Sequence, residues 1–149
     1  MKIRFYLFLV TLCTLNCSQN KSLTYDIVIV GGGTSGTAAA IQAGRLGAEI
    51  LLLQEQDWLG GMLTAAGVSA TDGNHKLPSG IWGEFRDSLY ARYGSPKALS
   101  TGWVSNTQFE PHIGAEIFQN MMNQLPNVER IVGFRLQNAR LKALENGKK

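Results

Sequence analysis

Three glycines at a fixed spacing, Gly31-x-Gly33-x-x-Gly36, stand directly behind the apolar run at 25–30 and directly before an alanine-rich stretch. Glycines in that order suit a strand-to-helix turn built around a phosphate group. Gly31 permits the tight turn, Gly33 lets a pyrophosphate lie against bare backbone, and Gly36 lets the new helix approach the strand. Gly32, Thr34 and Ser35 complete the stretch expected to meet the pyrophosphate, which the N-terminal amides and dipole of the helix attract. The second chemical element of such a site is an acidic side chain at the end of the next strand, which accepts hydrogen bonds from adenosine ribose hydroxyls. Gln54 and Glu55 both stand close enough in sequence for that role. The run "QEQD" (54–57) carries two carboxylates and no base, whereas NADP calls for an arginine near its 2′-phosphate, so NADP is disfavoured.

Positioning these groups requires a strand, a helix and a second strand in close succession. Residues 25–30 are short and rich in β-branched side chains, as a buried parallel strand requires. The helix is expected over about 35–46, with strong helix formers of small volume at Ala38, Ala39, Ala40 and Ala43, and Gly47 is its natural C-cap. Residues 49–53 then read as the second parallel strand. The expected fold is α/β, a Rossmann-like βαβ unit with a parallel sheet. Apolar spacing predicts two more helices, over 82–93 with Trp82, Phe85 and Leu89 on one face, and over 115–125 with Ile117, Met121 and Met122 together. Trp103 and Phe109, between them, are read as packing groups. Residues 128–136 suit a third parallel strand, and Asn146-Gly147 is a hairpin signal with only two residues after it.

Four runs carry a family resemblance over 25–149: Gly31 to Gly36, "LGGM" (59–62), "DGNHKLPSG" (72–80) and "WGEF" (82–85). The chain resembles FAD-dependent oxidoreductases of the glutathione-reductase-like, two-dinucleotide-binding-domain superfamily. More narrowly, it is similar to the bacterial group related to the flavoprotein subunit of heterodisulfide reductase. The resemblance implies FAD as cofactor and transfer of hydride or electrons between flavin and a small organic substrate. It implies that Gly60 and Gly61, with Met62 beside them, bring backbone amides to the adenosine and phosphate end of FAD. Counting from Gly36 or from Leu59, the glutamate that contacts the ribose in such proteins falls on Gln54, which lacks a charge-assisted hydrogen bond. Glu55 is the alternative, although period-two alternation aims it at the opposite face. In the same frame His75 is a candidate acid or base and Lys76 a candidate partner of reduced flavin, with Asp72 on the same turn-rich loop. The bland alternative is a solvated surface loop. Glu110 and His112 read instead as the start of a helix.

The competing functions are an NAD-dependent enzyme built on the same turn and a non-catalytic surface lipoprotein domain. Charge excludes little: 14 basic residues face 11 acidic ones, Lys2 and Arg4 lie in a leader-like segment, and the rest are scattered, so no nucleic-acid partner is expected. Residues 5–15 form an apolar run too short to span a bilayer but suited to a secretory signal. The expected organisation is a signal at 1–17, a tether at 18–24 and the N-terminal part of an FAD-binding domain at 25–149. Export to the periplasm or to a membrane surface follows, with Cys17, in "TLNCS", as the site of lipid anchoring. No cysteine follows Cys17, so any iron–sulfur cluster of the kind found in relatives would belong to a part beyond this chain. The missing later strands point to a truncated domain.

Overall fold

The computed structural model describes residues 24–68, 70–73, 75–100 and 105–140. The leader-like segment, Cys17, Trp103 and the Asn146-Gly147 hairpin lie outside the described residues. Strand β1 (Ile27–Val30), helix α1 (Thr34–Arg45) and strand β2 (Ile50–Gln54) form the expected βαβ unit. β1 and β2 run parallel, with Ile27 opposite Ile50 and Val30 opposite Leu53. After two further helices the chain returns as β5 (Val128–Val132), parallel to β2 on its other side, with Ile50 opposite Val128 and Gln54 opposite Val132. The sheet order is therefore β1-β2-β5. This is the α/β, Rossmann-like arrangement read from the sequence.

Burial explains why α1 sits where it does. Its buried residues are Thr37, Ala40, Ile41 and Gly44, the i, i+3, i+4, i+7 stripe of one helix face. A Cβ on Gly44 would come 2.6 Å from the Val128 side chain, so the absence of one lets the helix lie tight against β5. Gly47, with φ +88°, turns the chain out of the helix. The Asn127 amide then donates to the Gly44 and Ala48 carbonyls at 2.9 and 2.7 Å, tying that helix end to the entrance of β5.

Beyond β2 a 3-10 turn (Gly61–Leu63) leads to a two-residue antiparallel ribbon, β3 (Ala70–Thr71) with β4 (Thr107–Gln108). Helix α2 (Gly80–Tyr93) lies between those two strands in sequence, and helix α3 (Pro111–Asn123) follows β4. Phe85 of α2 stacks on Phe118 of α3 at 4.4 Å between centroids and meets Phe109 edge-on at 5.4 Å, the two geometries that ring quadrupoles favour. These rings form one core with Ile50, Leu52, Ile117, Met121 and Met122. α3 starts earlier than the expected 115, because Pro111 supplies a preset φ and needs no amide partner in the first turn. β5 stops at Val132 rather than 136, because Gly133 adopts φ +80° and interrupts the extended backbone, while the Phe134 amide still donates to the Gln54 carbonyl at 3.1 Å.

Candidate functional site

The glycine turn is held from both sides. The Gly31 amide donates to the Leu53 carbonyl at 2.7 Å, and its φ of +104° belongs to glycine alone. A Cβ on Gly36 would stand 1.9 Å from the Gly31 carbonyl oxygen, which is why α1 can leave the turn so close to the strand. Gly33 differs: its backbone is extended, and a Cβ there would meet nothing within 4 Å. No side chain caps α1, and its first turn holds no acidic residue, so its first amides and positive dipole end have no side-chain partner. Thr34 and Ser35 are exposed at that end.

The Leu59–Met62 stretch docks directly on the turn. The Gly60 amide donates to the Gly32 carbonyl at 2.9 Å, and the Thr34 hydroxyl donates to the Gly60 carbonyl at 2.7 Å. Gly61 packs so closely that a Cβ would come 2.7 Å from the Gly33 Cα. The Gly60 amide is therefore engaged within the chain, and the second glycine pair buttresses the first.

A cleft of about 340 Å³ opens at this junction, walled by Gly31 to Gly33, Gln54 to Gln56, Trp58, Gly61 and Met62. Gln54 and Glu55 both line it, by different routes. Gln54 is 3% exposed; its Nε2 donates to the Gln56 carbonyl, and its Oε1 is buried with no partner. That oxygen lies where a Gly32 side chain would be, 1.8 Å from an ideal Cβ, which gives Gly32 a role that its position in the motif did not. Glu55 turns outward and pairs with Arg135, whose Nε donates at 3.2 Å and whose other guanidinium nitrogen also bonds the carboxylate. The hydrogen bond to Glu55 raises the Arg135 pKa further above its ordinary value. The fold thus brings a base from 80 residues away to the exposed side of the "QEQD" run, where Glu55 takes up its charge.

A second cleft, of about 600 Å³, lies on the other side of Met62 and is lined by Thr34, Leu63, Asp72, Leu77 and Trp82 among others. Of the three loop candidates only Asp72 lines it. Lys76 is exposed to solvent, and a ring nitrogen of His75 lies 3.1 Å from the Gly73 carbonyl. Arg86 holds this loop. Largely buried, it donates to the His75 and Leu77 carbonyls at 3.1 and 2.7 Å and pairs with Asp87 at 2.8 Å. The sequence reading missed it; the available signal was a cation on the apolar side of a helix. Glu110 and His112 border neither cleft: Glu110 precedes α3, and His112 lies in its first turn.

The geometry meets the chemical needs of a dinucleotide. A pyrophosphate needs bare backbone before an uncapped helix, which Gly33 and α1 supply. A ribose hydroxyl is a donor of the kind that the Gln54 Oε1 lacks.

Comparison with known proteins agrees. The family model described as FAD dependent oxidoreductase matches residues 26–147. The chain is 42% identical over 89 residues to an NADH oxidase of Thermoanaerobacter brockii, covering 53% of this chain and 13% of that protein. It is 38% identical over 60 residues to an NADH:fumarate oxidoreductase of Klebsiella pneumoniae, covering 39% of this chain and 6% of that one. The chain thus spans a small fraction of these relatives' lengths. Among solved structures, p-nitrophenol 4-monooxygenase from Pseudomonas putida superposes with a TM-score of 0.53 at 13% identity, over 78% of this chain and 33% of the other, a likeness of fold.

Proposed function

The chain belongs to the FAD dependent oxidoreductase family, and from that premise we propose that it holds the ADP half of FAD in the cleft between the glycine turn and the end of β2. The observation that carries this reading is the open backbone at Gly33 before an uncapped helix, with the unpaired Gln54 oxygen beside it. Residues 31–36 hold the pyrophosphate, and Gln54 accepts a ribose hydroxyl through a neutral hydrogen bond, weaker than the charge-assisted bond of a glutamate. Gly61 and Met62 close the floor of the cleft, while Gly60 acts one step back by pinning them to the turn. When bound, FAD supplies the hydride and electron chemistry that side chains lack.

The larger cleft beyond Met62 suits the redox end and a small organic substrate. Its apolar walls at Leu63, Leu77 and Trp82 suit an apolar ring system, and Asp72 adds a carboxylate at the rim. His75 and Lys76 stay secondary candidates, since they would have to turn inward from the loop that Arg86 clamps. The "LGGM" and "DGNHKLPSG" runs support kinship with the bacterial group related to heterodisulfide reductase flavoproteins.

The test uses one substitution in the intact protein. Gly33→Val adds a side chain where the folded chain leaves space, so secondary structure persists while flavin absorbance is lost. A folded variant as yellow as its parent overturns the reading. We also propose that residues 1–17 direct export and that Cys17 carries a lipid. A reporter fused behind residues 1–24 then reaches the cell envelope, and its retention in the cytoplasm refutes this.

A further inference from the structure

Trp58 stands at the mouth of the smaller cleft with 45% of its surface exposed. It has no aromatic neighbour among the described residues, unlike Trp82, which is tilted against Phe85 at 6.3 Å. Nor is it free to fold inward. The next residue, Leu59, is buried in the core, and Gly60 is bonded to Gly32 and paired with Gly33 in a parallel bridge. The backbone on the C-terminal side of the indole is thereby fixed, and the side chain borders the cleft with Gln54 to Gln56 on one side and a groove with His112 and Ala115 of α3 on the other. Leaving so much aromatic surface in water forgoes the burial that aromatic side chains ordinarily gain.

We infer that Trp58 is the stacking wall for the purine base of the bound dinucleotide, and so a residue that selects for an adenosine-bearing cofactor. The inference rests on the cofactor reading above and adds a residue that neither the glycine motif nor the strand end contains. With the pyrophosphate at the glycine turn and the ribose at Gln54, the base falls at the far end of the cleft from the turn. Around the cleft, the other lining groups are glycine backbone, small alanines, Met62 and polar side chains; the indole is its one broad flat surface. Stacking needs such a face and tolerates the absence of specific hydrogen bonds.

The probes are ADP, which carries the purine without flavin, and FMN, which carries flavin without the purine. Both are titrated into the intact protein stripped of its flavin, with tryptophan emission and direct binding as readouts. The expected result is that ADP quenches emission of the parent and that Trp58→Phe binds ADP without that quench. Trp58→Ala weakens ADP and FAD by about tenfold and leaves FMN unchanged, with the circular dichroism spectrum preserved. Equal ADP affinity in Trp58→Ala and parent overturns the inference while the cofactor reading stands. A parent that binds neither ADP nor FAD overturns both.

Discussion

A Cβ on Gly36 would collide with the Gly31 carbonyl, whereas one on Gly33 enters open space. The two glycines therefore differ in what a substitution does. Gly36→Ala must displace backbone and is expected to lower stability by about 1–3 kcal/mol, the usual range for overpacking, seen as a reduced urea midpoint. Gly33→Val shifts that midpoint little and acts on flavin content instead. If the two variants lost stability equally, the open space at Gly33 would not be real. Gln54 and Glu55 separate in a similar way, since one is buried against Gly32 in the wall of the cleft and the other is exposed and paired with Arg135.

Among the elements, α1 and α2 are joined by a two-pronged ion pair: Arg45 at the end of α1 donates to Glu84 at 2.7 and 2.6 Å. The hydrogen bond from Arg45 pulls the Glu84 pKa below its ordinary value, against a smaller opposing effect of burial. A carboxyl whose folded pKa is lowered stabilises the fold above its unfolded pKa, and that contribution fades as pH falls through the folded value. Both side chains are partly exposed, so the pair contributes less than about 1 kcal/mol. Glu84→Gln is expected to be less stable than the parent at neutral pH and to converge with it in acid. Parallel stability curves across that range would show that the pair contributes nothing.

On the scale of the whole molecule, the sheet is packed on one face. Leu52 is fully buried under the helices, while Val28, on the other face, is 53% exposed. Parallel sheets usually carry cover on both faces, so the exposed side is apolar without being core in the described residues. In the 149-residue chain, Leu52→Ala is expected to cost about 2–5 kcal/mol and Val28→Thr less than about 0.5 kcal/mol. A comparable cost at both positions, measured by chemical denaturation, would show that the second face is also packed.

The local patterns were enough to reveal the βαβ unit, the glycine turn and the stripe on α1, because each depends on residues within a few positions of one another. The resemblance at 59–62 and 72–85 added FAD. Tertiary structure decided what distant segments do to those patterns: Gly60 locks onto Gly32, Arg135 pairs with Glu55, Arg86 clamps the 75–77 loop, and Trp58 is left facing the cleft. Each of these is a contact between separate stretches of the chain. Propensity and periodicity describe short windows, so they could nominate the groups of the site but could not say which amides, charges and faces the folded chain would use up and which it would leave open.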